Sequence, residues 1–148
     1  MVRIIRVCGV VALLGLFFTA TSGAQVSTAR RPDVRFLATP QNVVEAMLQL
    51  AEVTPADVVY DLGSGDGRIP ITAARMFGAR GVGIELDPGL VAQAESSATR
   101  AGVDGAVRFV VGDLFQADLR DATVVAIFLL PGMNIDLIPK FRAQLRSG

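Results

Sequence analysis

The chain has 148 residues, 51% hydrophobic and 19% charged, a size and composition that fit one globular domain and exclude a disordered or fibrous chain. Fourteen basic residues balance fourteen acidic ones, so no field of one sign marks a nucleic-acid binder. With no histidine and a single cysteine, Cys8, the chain excludes disulfide frameworks, Cys/His metal centres and histidine-based triads.

The first segment differs from the rest. "MVRIIR" (1–6) carries two arginines, "VCGVVALLGLFF" (7–18) is an uncharged apolar run of 12, and "TATSGAQ" (19–25) supplies Ser22 and Ala24 as small residues before Gln25. This is the layout of a secretory signal peptide over residues 1–24. A membrane anchor is the other reading, because the uncharged stretch runs on to Ala24. Either one places the domain outside the cytoplasm, periplasmic or extracellular, by the positive-inside rule; an unused leader leaves it cytoplasmic. Cleavage would remove Arg3 and Arg6 and leave 12 basic residues against 14 acidic, a net of −2. Residues 25–38 are polar and Arg-rich and read as a linker to a domain over 39–148.

Thr39 and Pro40 predict a helix start, with a hydroxyl cap and a proline at the first helical position. Val43, Val44, Met47, Leu48 and Leu50 then recur at helical spacing until Thr54 and Pro55. Four continuous apolar runs follow, "DVVYDL" (57–62), "GVGIEL" (81–86), "VRFVVG" (107–112) and "TVVAIFLL" (123–130), the pattern of strands covered on both faces. Between them lie "RIPITAARMFGA" (68–79) and "PGLVAQAESSATRAG" (88–102), helical in period and length. Alternation of strand and helix predicts an α/β Rossmann-like, doubly wound parallel sheet with right-handed crossovers. The link from Asp113 to Ala122 is short. In the usual order it crosses three strand spacings and one strand length, about 22 Å, and ten extended residues reach roughly 33 Å, which leaves room for at most a turn of helix. "NIDLIPKFRAQL" (134–145) predicts a last helix bent at Pro139.

In such a sheet ligands lie at the carboxyl ends of the strands, near the first. Gly63, Gly65 and Gly67 occupy that turn, where residues without a side chain can take positive φ and let a ligand lie against the backbone and the helix N-terminus near Arg68. A tight strand-to-helix turn alone would also ask for glycine. The acids narrow the reading: Asp61 ends the first strand, Glu85 ends the second 24 residues later, and Asp113 follows the third. A carboxylate at Glu85 can accept both hydroxyls of a ribose. Asp113 can accept from an exocyclic adenine amine, with the backbone N–H of Leu114 meeting a ring nitrogen. A dinucleotide fold runs GxGxxG, whereas these glycines run GxGxG with an acid two residues ahead. Asp61 would repel a pyrophosphate and attract a sulfonium and an ammonium, which favours S-adenosyl-L-methionine over NAD.

The stretches "VVYDLGSGDGRIPI", "GVGIELDPGLV", "VRFVVGDLFQADL" and "ATVVAIFLLPGMN" resemble the first four motifs of class I S-adenosylmethionine-dependent methyltransferases. They are especially similar to short bacterial members related to mitochondrial protein-lysine methyltransferases, from about Asp33 to Gly148. The resemblance implies a methyltransferase acting on a protein lysine or another amine. It also implies that Asp61, Gly63 and Gly65 hold the methionine portion, Glu85 the ribose, and Asp113 with Leu114 the adenine; Ser64 and Leu86 join the cofactor-binding set. No catalytic base is identified, and with histidine absent the candidates are carboxylates or solvent. Phe128 and Pro131 are candidates for a substrate-facing rim, ordinary packing at a strand end being the other reading for Phe128.

Two motifs depart from the group: Phe128 stands where a tyrosine usually precedes "LLP", and "VRFLATP" (34–40) replaces "VPYVPTP". The chain also stops at "RSG", where a fifth of seven strands would begin, so four strands and a truncated chain are expected, with the fourth strand an apolar edge. Two further readings stand beside the methyltransferase: a truncated, non-catalytic nucleotide-binding domain, exported or membrane-anchored, and an NAD-dependent oxidoreductase.

Overall fold

The computed structural model describes residues 38–145; the signal-peptide-like stretch 1–24 and nearly all of the linker lie outside the described residues. The elements are, in chain order, α1 (Gln41–Leu50), β1 (Val58–Leu62), α2 (Arg68–Phe77), β2 (Arg80–Glu85), α3 (Pro88–Ala101), β3 (Val107–Val111), β4 (Val124–Ile127) and α4 (Pro131–Gln144). The strands form one parallel sheet in the order β3, β2, β1, β4, the doubly wound arrangement expected from the alternating pattern. No described helix is long and apolar enough to cross a membrane.

Alternation along β1 sends its side chains to two different cores. Val59 packs with Ala126, with Val44 and Leu48 of α1, and with Ile69 and Ala73 of α2. Val58, Tyr60 and Leu62 face the other way, against Val82, Ile84, Leu119 and Leu137 of α4. Val44, Val59, Leu62, Leu119 and Leu137 lose nearly all contact with solvent. Each contributes roughly 1.5–3 kcal/mol by burial, before the entropy of ordering is set against it. A smaller cluster joins Phe109 of β3 to Val91, Ala94 and Ala98 of α3.

Local chemistry sets the ends of the middle helices. Asp87 caps α3, its carboxylate accepting from the Gly89 amide at 2.7 Å, with Pro88 at the first helical position; α2 and α3 end at Gly78 and Gly102 in the left-handed conformation. At the amino end of the sheet the Thr123 hydroxyl donates to Asp57 at 2.7 Å and accepts from the Val58 amide at 2.9 Å, tying β4 to β1. The link between β3 and β4 contains turns and no helix, within the allowance its length sets. α4 holds it from outside: the Lys140 ammonium donates to the Phe115 carbonyl at 3.0 Å, and the Gln144 side chain accepts from the Leu119 amide at 2.8 Å.

Several boundaries differ from the sequence reading. α1 begins at Gln41, with Pro40 at the cap position and no side-chain cap; the Pro40 carbonyl accepts from the amides of Val43 and Val44. Thr39 therefore lies outside the helix, and its carbonyl is taken by Arg68 instead. β4 is four residues long rather than eight, because its pairing with β1 stops at Leu62 opposite Ile127 and the backbone of β1 turns away at Gly63. Residues 128–130 leave the sheet, and α4 starts at Pro131, three residues earlier than expected, and continues through Pro139 as one helix. Cover on both faces holds for β1 and most of β2. It fails for β3, an edge strand whose Arg108, Val110 and Val111 are exposed, and it is partial for β4.

Candidate functional site

β1 and β4 end side by side at Leu62 and Ile127, and their connections leave toward opposite faces, β1 to α2 and β4 to α4. A divergence of this kind opens a crevice beyond the strand ends. Its floor is the turn 63–67. The amides of Gly63 and Ser64 both donate to the Ile84 carbonyl, at 2.8 and 3.0 Å, so the turn folds back over the end of β2. Gly63, Gly65 and Gly67 take φ of +85°, +54° and +78°, the left-handed conformation expected of them. At Gly67 packing makes the same demand, since a Cβ there would stand 2.6 Å from the Phe109 ring and 2.7 Å from the Ala94 methyl. Gly67 is the cap residue of α2, and the first amide of that helix, that of Arg68, donates to the Asp66 carboxylate at 3.3 Å.

Asp61 follows Val59 onto the α1 and α2 face and is only 4% exposed. Among the described residues no arginine or lysine is ion-paired with it. Burial in the first place, and then the negative charges of Glu85 and Asp66, push its carboxyl up to about 7. Ser64 lines the same recess and is 5% exposed, its hydroxyl buried against Gly83 and without a hydrogen-bond partner among the described residues. A polar atom shut away unpaired costs about 1–3 kcal/mol.

Glu85 sits at the end of β2 as expected, and its carboxylate has a second task. One oxygen accepts from the Gly65 amide at 2.9 Å, the other from the amides of Leu86 and Asp87 at 2.7 and 3.0 Å. The candidate ribose acceptor thus also holds the glycine turn. Asp113 follows β3 at the start of a turn, its carboxylate accepting from the Phe115 amide at 2.9 Å and its carbonyl from the Gln116 amide at 2.8 Å. Leu114 and Phe115 are partly buried against the α4-side core, which fixes the turn that carries them.

The recess next to Asp61 is lined by Thr39, Gly63, Ser64, Asp66, Arg68, Ile69 and Phe128. Phe128 is 65% exposed, so simple packing at a strand end does not describe it. Pro131 opens α4 at the surface and does not line this recess. Thr39, Asp66, Arg68 and Ile69 were not identified from the sequence as site residues. The signal lay in "GDGR", an acid and a base two residues apart: the Arg68 guanidinium forks onto the Asp66 carboxylate, Nε to Oδ1 at 2.9 Å and Nη2 to Oδ2 at 2.5 Å, and holds that carboxyl below its usual range. Among the described residues no group of three or more acids and cysteines gathers as a metal ion requires.

Among the described residues, a buried acid without a cation, a buried hydroxyl without a partner and a turn of side-chain-free backbone together fit a ligand that is positive at one point and rich in hydrogen-bonding groups elsewhere. S-adenosyl-L-methionine has that distribution, whereas a pyrophosphate would put negative charge against Asp61.

Known proteins agree with this chemistry. Residues 61–148 match the model of the ANTKMT methyltransferase domain. The chain is 42% identical over 118 residues to a protein-lysine N-methyltransferase of Saccharolobus islandicus, covering 79% of this chain and 73% of that one. It is 40% identical over 119 residues to the adenine nucleotide translocase lysine N-methyltransferase of Mus musculus, covering 80% of this chain but 51% of that one, so it spans about half the length of such mammalian relatives. Among solved structures, an RNA methyltransferase from Salinibacter ruber in complex with S-adenosyl-L-homocysteine superposes with a TM-score of 0.75 at 56% identity, over 76% of this chain and 73% of that one. The chain belongs to the ANTKMT methyltransferase domain family, within the class I S-adenosylmethionine-dependent methyltransferases.

Proposed function

We propose that the chain binds S-adenosyl-L-methionine at the turn after β1 and methylates the side-chain amine of a lysine in a protein. The observation that carries this reading is Asp61, a carboxylate buried at the crevice beside an unpartnered serine hydroxyl, with no cation of the described residues to match it. An ammonium or sulfonium placed there supplies the missing charge. Gly63, Ser64 and Gly65 lie against the methionine portion, Glu85 and Leu86 at the ribose, Asp113 and Leu114 at the adenine.

The cofactor supplies a methyl group already activated by its sulfonium. The protein is left to bind, to orient the nucleophile in line and to exclude water. Buried Asp61 serves the first task, and the exposed, apolar Phe128 serves the last two from the recess wall. The incoming amine has to shed a proton, and in a chain without histidine the acceptor is a carboxylate or solvent.

A lysine acceptor is supported by the names of the Saccharolobus and mouse relatives. The Salinibacter protein is described as an RNA methyltransferase, which makes RNA the competing acceptor. Basic and acidic residues are equal in number, so no net positive charge favours a phosphate backbone. Calorimetry against S-adenosylmethionine, S-adenosylhomocysteine and NAD tests the cofactor, with binding of NAD alone or of none of the three sinking the reading. Transfer of labelled methyl groups to protein or to RNA then tests the acceptor; label appearing in RNA and not in protein would replace lysine.

A further inference from the structure

We propose that Arg68 is a positioning residue that latches the segment leading into α1 onto the glycine turn, making Thr39 a wall of the methionine end of the cofactor pocket. The proposal rests on the S-adenosylmethionine reading and adds to it a determinant outside the motif acids. Arg68 is the first residue of α2, and its guanidinium spends its donors in two directions. Two go to Asp66, in the turn it has just left, and Nη1 reaches the Thr39 carbonyl at 2.8 Å, 29 residues back in the chain. One helical turn later, on the same face, the Thr72 hydroxyl accepts from the Gln41 amide side chain at 3.0 Å. Two polar bonds therefore run beside the apolar seam in which Val44 and Leu48 pack on Ile69 and Ala73.

Only the first of these bonds touches the pocket. Thr39, Asp66 and Arg68 all line the recess with Asp61 and Phe128, whereas Thr72 does not. The Arg68 and Asp66 side chains are 29% and 16% exposed, sheltered enough that their bidentate pairing is not an ordinary surface ion pair. Asp66 aims the guanidinium and the guanidinium holds the backbone of Thr39. A side-chain hydroxyl at the start of α1 could have held that backbone by capping, but no side-chain cap is present there. Arginine is the residue type for this task because its planar fork can saturate a carboxylate and still offer a donor in another direction.

The test uses the full chain, with Arg68→Ala, Arg68→Lys and Asp66→Ala. S-adenosylhomocysteine should bind Arg68→Ala about tenfold more weakly, the loss of one charge-assisted hydrogen bond, while adenosine, which lacks the methionine portion, binds as it does to the parent protein. Arg68→Lys should fall between, since a lysine offers a single point of attachment. Asp66→Ala should weaken S-adenosylhomocysteine in the same direction as Arg68→Ala. If Arg68 instead contacted the ligand directly, freeing it from Asp66 would preserve or tighten binding, and that result overturns the latch. Amide exchange without any ligand reads the latch alone: exchange at Val43 and Val44 should quicken in both alanine variants, and unchanged exchange there overturns it. Should the parent protein bind no S-adenosylhomocysteine, the cofactor reading falls, and the exchange measurement still decides the latch.

Discussion

Glu85 accepts a hydrogen bond from the amide of Gly65 at 2.9 Å, so the acid at the tip of β2 holds in place the turn that follows β1. The same side chain takes the amides of Leu86 and Asp87, and its charge helps to keep a proton on Asp61. Glu85→Gln keeps the shape but has one oxygen for three donors. The expected result is a loss of about 1–3 kcal/mol in unfolding free energy, read from urea titration, together with binding of S-adenosylhomocysteine at least tenfold weaker. Binding unchanged in a destabilised protein would leave Glu85 a structural clamp only.

Asp61 gives a pH dependence of defined sign. Its folded carboxyl titrates at about 7 and its unfolded one near 3.8, so the native state holds a proton that the unfolded chain gives up between these values. Stability from this group is complete below the lower value and is lost as pH rises through the upper one, on the order of 4 kcal/mol in all. Asp61→Asn should therefore melt higher than the parent at pH 8.5 and show little of the decline that the parent shows between about pH 4 and 7. The ligand dependence runs the other way: affinity for S-adenosylmethionine should fall as pH drops below about 7, by up to tenfold per unit, and Asp61→Asn should lose both affinity and slope.

Ser64→Ala separates folding from binding in a similar way. Removing a buried hydroxyl that has no partner should leave the ligand-free protein as stable as the parent or about 1 kcal/mol more so. Weaker binding of S-adenosylhomocysteine in the same variant identifies the hydroxyl as a ligand contact; stability and affinity falling together would show that it serves the turn instead.

Gly67→Ala should be among the most damaging single changes in the chain. The φ of +78° alone costs an alanine about 1–2 kcal/mol, and a methyl 2.6 Å from the Phe109 ring adds an overlap that β3 must move to relieve. A loss of about 3 kcal/mol is expected, measurable by chemical denaturation. Gly102→Ala is the control, with similar φ and nothing within 4 Å of the added carbon.

The sheet order, the left-handed glycines and the strand-end positions of Asp61 and Glu85 were legible because each depends on neighbours in the chain or on a repeating pattern. Other features depend on distant partners. The length of β4 is set by where β1 stops, so "FLL" reads as strand although β1 has already turned away from it. Thr39 reads as a cap because its residue type suits one, while in the fold its carbonyl belongs to Arg68, far away in sequence. Arg68 reads as the start of a helix, and Asp66 carries no signal of its own among the turn glycines. Their pairing and their place on the pocket wall appear only once α1 has packed on α2.

Asp61 shares its strand with apolar residues that alternate between two separately packed cores. Slippage of β1 by a single step would drive the carboxylate into the greasy side beneath α4 and bring Tyr60 or Leu62 out toward the ligand. Val59 and Leu62, which never meet a substrate, thereby act as a ratchet for the one charge that must not wander, and enlarging or deleting either should harm catalysis through misplacement before it unfolds the molecule.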